Sequence, residues 1–140
     1  MNKFAKILAI ALLVVVCLTV FTACAPNSDP DKALANLIEK GYKGNKDDGI
    51  LTGIASLGLK GLKCIVTGTK SVETEDGETK LEHVTIYYFY DADSAQAAFT
   101  KLQDKSEGEK EDDTDWVFAQ SGAMVYYGTK AAVSAASSLF

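Results

Sequence analysis

"LKCIVTGTKSVETEDGETKLEHVTIYYFY", residues 62–90, is the stretch on which the reading of this chain turns. Two runs rich in β-branched and aromatic residues, Leu62–Val72 and Leu81–Tyr90, flank a polar octet, Glu73–Lys80. Asp76-Gly77 inside that octet is a strong hairpin signal, because both positions of the tight turn that matches strand twist need positive φ. Alternation then puts Leu62, Cys64 and Val66 on one face of the first strand, and Val84, Ile86 and Tyr88 on one face of the second. Asp91 follows as a helix cap, and Ala95, Ala98, Phe99 and Leu102 make the apolar stripe of the helix it opens.

Outward from the hairpin, the pattern repeats. "VTIYYFYDADSAQAAF" (84–99) and "AMVYYGTKAAVSAAS" (123–137) each place a Tyr-Tyr pair on a strand that feeds an alanine-rich helix. Trp116–Ala119 and Ala123–Tyr127 read as the second hairpin, around Gln120-Ser121-Gly122. Thr129 caps a closing helix with Val133, Ala136 and Phe140 as its apolar contacts. Upstream, Asp29-Pro30 opens a first helix, since Asp accepts from free N–H groups and Pro suits the first helical position. Leu34, Leu37 and Ile38 form its stripe, Gly41 its left-handed terminator and Tyr42 the hydrophobic contact beyond it. Residues 44–49 read as turn material, and Ile50–Leu57 as a short helix ending at Gly58. The expected fold is therefore α+β: an antiparallel four-stranded sheet with helices covering one face, in the order α-β-β-α-β-β-α.

The first 24 residues carry a different message. Lys3 and Lys6 precede an apolar run from Ile7 to Phe21, closed by Thr22-Ala23-Cys24. A positive start, a short apolar middle and small residues at the cut make a secretory signal pattern. The run of 15 residues is shorter than the roughly 20 that span a bilayer. Phe21-Thr22-Ala23-Cys24 resembles the lipobox of bacterial lipoproteins, with Phe21 where leucine is commonest. That resemblance implies cleavage between Ala23 and Cys24 and a diacylglyceryl thioether on Cys24, the lipidation site. It further implies attachment to the cell membrane on its extracytoplasmic face. The expected organisation is a lipoprotein signal peptide at 1–23, a short lipidated tether at 24–28 and a single domain at 29–140. The order of elements and the "YYGTKAA" ending also resemble small lipoproteins of Gram-positive bacteria, which implies no activity.

Composition narrows the partners. Loss of residues 1–23 would leave 117 residues with 12 lysines against 19 acidic side chains, and no arginine occurs anywhere in the chain. Nucleic acid is excluded as an expected partner, because phosphate neutralisation supplies most of that affinity. With Cys24 acylated and Cys17 removed, Cys64 has no partner for an intrachain disulfide and reads as a small buried hydrophobe.

Chemistry is sparse. His83 is the sole histidine in the sequence, so histidine-based zinc sites and Ser-His-Asp relays lack parts. Ser134, Ser137 and Ser138 have no base near them in sequence, and the glycines do not match a phosphate cradle. In "DKSEGEKEDDTD" (104–115), Asp104, Ser106, Asp112 and Asp115 fall on calcium-loop positions. Glu109 occupies the obligatory glycine position, however, so a solvated charged loop that buries nothing is expected. No catalytic residue, metal ligand or cofactor is assigned. Tyr87, Tyr88, Tyr90, Tyr126 and Tyr127 concentrate on two strands and form the candidate binding face, on the side of the sheet away from the helices. The function expected is a non-enzymatic binding or accessory module contacting an envelope protein, glycan or small ligand. The alternatives are a carboxylate hydrolase using Asp91 or Glu82, and a structural envelope protein.

Overall fold

A computed structural model of the protein describes residues 25–47, 59–110 and 115–137. The elements run α1 (Pro30–Glu39), β1 (Lys43–Asp47), β2 (Leu62–Glu73), β3 (Thr79–Phe89), α2 (Ala92–Glu109), β4 (Trp116–Ser121), β5 (Met124–Thr129) and α3 (Lys130–Ala135). The fold is α+β, and its five strands form one antiparallel sheet in the order β1-β2-β3-β5-β4. The leader at 1–23, Cys24, the helix expected over 50–57, Asp112, Ser138 and Phe140 lie outside the described residues.

The local signals of the first helix act as expected, whereas Thr129 stands at the start of α3 without a side-chain cap bond. The Asp29 carboxylate accepts from Asp31 N–H at 3.0 Å at the start of α1. At its end Gly41 takes φ +87°, Gly41 N–H donates to the Ile38 carbonyl and Tyr42 N–H to the Leu37 carbonyl. That pair of bonds is the Schellman ending, and Tyr42 is buried with Leu37 as the motif requires. In the β2–β3 hairpin, Thr74 N–H donates to the Glu78 carbonyl and Gly77 N–H to the Thr74 carbonyl. The hairpin is where expected, but its connection is a three-residue loop, 75–77, with Gly77 in the left-handed region at φ +80°, and not the two-residue turn centred on Asp76-Gly77.

Three expectations are corrected. The sheet has five strands because Lys43–Asp47, which overlaps the turn expected over 44–49, pairs with Ile65–Thr69 of β2. It is an edge strand whose exposed residues are polar or charged, the composition that keeps an open edge from pairing with another chain. The helices cover both faces. Helices α1 and α3 pack with Cys64, Val66, Val84, Ile86, Tyr88 and Tyr126 on one side. Helix α2 packs its Ala95, Ala98 and Leu102 with Tyr87, Val125 and Tyr127 on the other. Finally, Leu62 does not share a face with Cys64. The register shifts between them, a β-bulge at Lys63, and Leu62 turns into the core beneath α2.

The charged run after residue 103 is also partly structural. Helix α2 extends through Glu109, and Ser106 is buried, its hydroxyl accepting from Trp116 Nε1 at 2.8 Å. Helical backbone over 104–109 is incompatible with a calcium loop there.

Close backbone approach fixes the middle of the sheet. A Cβ on Gly128 would overlap the His83 carbonyl oxygen and lie 2.7 Å from Val84 Cα, both backbone atoms that no rotamer change can move. Gly128→Ala is expected to destabilise the domain by roughly 1–3 kcal/mol, measured by denaturant unfolding. An unchanged midpoint would show that β3 and β5 are not this close.

Candidate functional site

The five tyrosines expected to form one open face are divided by the pleat and by the helices. Tyr88 and Tyr126 point under α1 and α3, where Tyr88 donates its hydroxyl to the Asn27 carbonyl at 2.7 Å. Tyr87 and Tyr127 point to the other side, beneath α2. Tyr90 stands beyond the end of β3 and is 70 % exposed. The expected open aromatic face is therefore corrected: four of the five rings are buried because each side of the central strands has its own helical cover.

The α2 side is not covered evenly. Helix α2 lies over β3, β4 and β5, which leaves the β1–β2 part of that face without a described helix above it. A concavity of about 310 Å³ lies where this part meets the C-terminal half of α2. Asn45, Thr67 and Thr85, cross-strand neighbours on β1, β2 and β3, contribute its polar wall. Lys105 and Glu109, one helical turn apart on α2, contribute the opposite wall. Tyr87 and Tyr127 lie at the base, with their hydroxyls 3.5 Å apart and the Lys105 ammonium 6.0 Å from the Tyr87 ring centre.

The tyrosines are almost wholly beneath the surface, so an entering molecule would meet the Thr, Asn, Lys and Glu side chains first. Burial, then the Tyr87 hydroxyl and the neighbouring Glu109 carboxylate, hold the Tyr127 phenol in its neutral form well above the ordinary phenol range. What the walls offer is a set of hydrogen-bond donors and acceptors with one ammonium and two carboxylates, Asp47 and Glu109. Such a surface suits an uncharged, hydroxyl-bearing molecule better than a polyanion, which would need arginine-like forks.

The carboxylates flagged in the sequence are not brought together. Asp91 caps α2, its carboxylate accepting from Ser94 N–H at 2.7 Å, a bond that lowers its pKa. Glu82 lies toward the other end of β3, about 30 Å away at 3.3 Å per residue. Paired glycosidase carboxyl groups stand about 5–9.5 Å apart. Glu82 is buried under the α1 side beside Lys80, at 3.3 Å, and its Oε2 has no hydrogen-bond partner among the described residues. His83 is half-buried, its ring 5.1 Å from that of Trp116. Cys64 is a buried thiol. Among the described residues no group of histidine, cysteine and acidic side chains is arranged to hold a metal ion.

Sequence reasoning missed Asn45, Thr67, Thr85, Lys105 and Glu109. Only the register of β1 on β2 and the length of α2 bring them together, and both were hidden in stretches that read as polar loop. No family model matches the chain, and no curated protein or solved structure resembles it significantly.

Burial also pushes up the Tyr88 phenol, with smaller contributions from Cys64 and Asp29. The unfolded chain releases both phenolic protons near pH 10 while the folded chain keeps them. Stability is accordingly expected to fall above that pH, by about 1.4 kcal/mol per pH unit for each such tyrosine. Unfolding measured between pH 9 and 11 should lose part of that slope in Tyr127→Phe and in Tyr88→Phe; an unchanged slope in both would contradict the burial argument.

Proposed function

We propose that the chain is a lipid-anchored extracytoplasmic binding module, attached to the cell membrane through acylated Cys24. On this reading it receives a small uncharged hydroxyl-bearing ligand, such as a glycan unit, in the concavity between β1–β3 and α2. The anchor rests on Lys3 and Lys6, the apolar run Ile7–Phe21 and the lipobox-like Phe21-Thr22-Ala23-Cys24. Two acyl chains give stable attachment where one chain gives only reversible binding. Among the described residues no helix is long and apolar enough to cross a membrane.

The binding reading is carried by one observation: beside α2, a part of one sheet face with no described helix over it forms a concavity lined by polar groups from three strands and a helix. Its volume is at the small end of ligand sites. The Asn and Thr side chains on neighbouring strands hold both donors and acceptors in fixed positions, as recognition of hydroxyl groups requires.

The test is chemical-shift mapping of the processed protein in nanodiscs against mono- and disaccharides of envelope type. Perturbations are expected at Asn45, Thr67, Thr85 and Lys105, with binding weakened several-fold by Thr67→Val or Lys105→Ala. Shifts confined to α1 and α3, or none across the panel, would overturn the ligand reading.

A further inference from the structure

The segment that follows Cys24 is not a free tether. Pro26 is buried, Asn27 N–H donates to the Ala136 carbonyl at 3.0 Å, and the Asn27 carbonyl accepts from the Tyr88 hydroxyl. The Asn27 side chain in turn accepts from Asp29 N–H at 2.8 Å, at the cap of α1. The chain is thus held to the core from its third residue after the lipidation site. Any lipid carried by Cys24 is therefore joined to the domain through Ala25, and the described surface around Ala25 is the part that bears on the anchor.

That part is one end of the sheet. Ala25, Asn27 and Lys63 share a cleft with Phe89 and Gly122. Tyr90 N–H donates to the Gly61 carbonyl at 2.9 Å and Phe89 N–H to the Ala123 carbonyl at 2.7 Å, which ties the end of β3, the start of β2 and the β4–β5 turn together. Two lysines, Lys60 and Lys63, are exposed here. Here too is Tyr90, the most exposed of the large hydrophobic side chains among the described residues. Asp91 and Asp93 lie nearby at the start of α2, the first engaged by the Ser94 amide. The opposite end is the β2–β3 hairpin, with Glu73, Glu75, Asp76 and Glu78 exposed around its tip. Along β3 that tip stands about 36 Å from Tyr90, several Debye lengths away at physiological salt.

We propose that the end formed by Ala25–Ser28, Lys60–Lys63 and Tyr90 rests on the phospholipid headgroups, with the sheet upright and the acidic hairpin directed away from the membrane. The proposal rests on the anchor reading and adds an orientation to it. An amphipathic tyrosine favours the headgroup level, where its ring is half-withdrawn from water and its hydroxyl stays wet. Lys60 and Lys63 are offset at this end by Asp29, Asp91 and Asp93, so the charge argument lies with the hairpin, whose acidic tip is least repelled by an anionic leaflet when it is farthest from one. The packed segment 25–28 converts these preferences into a fixed pose, because the lipid enters the bilayer beside Tyr90 and Lys63. The concavity between β1–β3 and α2 then opens sideways, above the headgroups and within reach of soluble ligands.

The experiment uses the full acylated protein on vesicles containing phosphatidylglycerol. Lys60→Cys and Asp76→Cys each carry a small fluorophore, and the quencher is a nitroxide on the lipid headgroup. Both positions are exposed, so neither label disturbs the core. Quenching is expected to be several-fold stronger at position 60 than at position 76, and Lys63→Glu with Tyr90→Ser should reduce that contrast. Vesicle flotation of the natural chain and of Cys24→Ser reads the anchor separately. Flotation that needs Cys24 together with equal quenching at both positions overturns the orientation and leaves the anchor standing. Loss of flotation in the natural chain, or flotation unaffected by Cys24→Ser, overturns both.

Discussion

The pairing of β3 with β5 is the interaction on which the rest of the structure depends. Every residue of β5, Met124–Thr129, is buried, because β3 and β4 flank it and helices lie above and below. Val84 opposes Gly128 and Ile86 opposes Tyr126 across this seam. Gly128 lets the two backbones approach to where a methyl group would collide. Burying one large apolar side chain contributes about 1.5–3 kcal/mol, and the seam buries Ile86, Tyr87, Val125, Tyr126 and Tyr127 together. Remove it and the sheet splits into the β1–β2–β3 strands and the β4–β5 hairpin, the second too small to persist alone in water.

The seam explains which features were legible beforehand. Asp29, Gly41 and Asp91 do their work within a few residues, so their roles could be read directly. The β-rich runs and the α+β class followed from the alternation of residues 62–72 and 81–90. The two-sided cover was present in the sequence as well. "IYYF" (86–89) and "MVYY" (124–127) are continuous apolar runs, the signature of strands buried on both faces rather than one. Reading their tyrosines as an exposed face overlooked that signature.

Other features were hidden for physical reasons. Strand β1 is polar because an edge strand must discourage further pairing, and polarity reads as loop. The bulge at Lys63 has no side-chain signature, yet it reverses the facing of Leu62. Ser106 looked like part of a solvated run until Trp116, ten residues on, placed its indole N–H against the serine hydroxyl. The concavity on the α2 side was hidden in the same way, since β1, β2 and β3 supply one wall and the late turns of α2 the other. Its residues are ordinary in sequence and meaningful only by juxtaposition.

The proposed anchor and proposed site occupy different parts of one rigid frame. Segment 25–28 is bonded to Tyr88 and Ala136, both of which belong to the core that α1 and α3 build with β3 and β5. A load applied through the lipid would therefore be borne by the central strands and not by a loose linker. The most direct test of this account is native-state hydrogen exchange followed residue by residue. Amides of Ile86, Tyr87, Val125 and Tyr126 should exchange only through global unfolding, while those of the edge strand β1 open at much lower cost. Exchange in β5 as rapid as in β1 would contradict the central role of the β3–β5 seam.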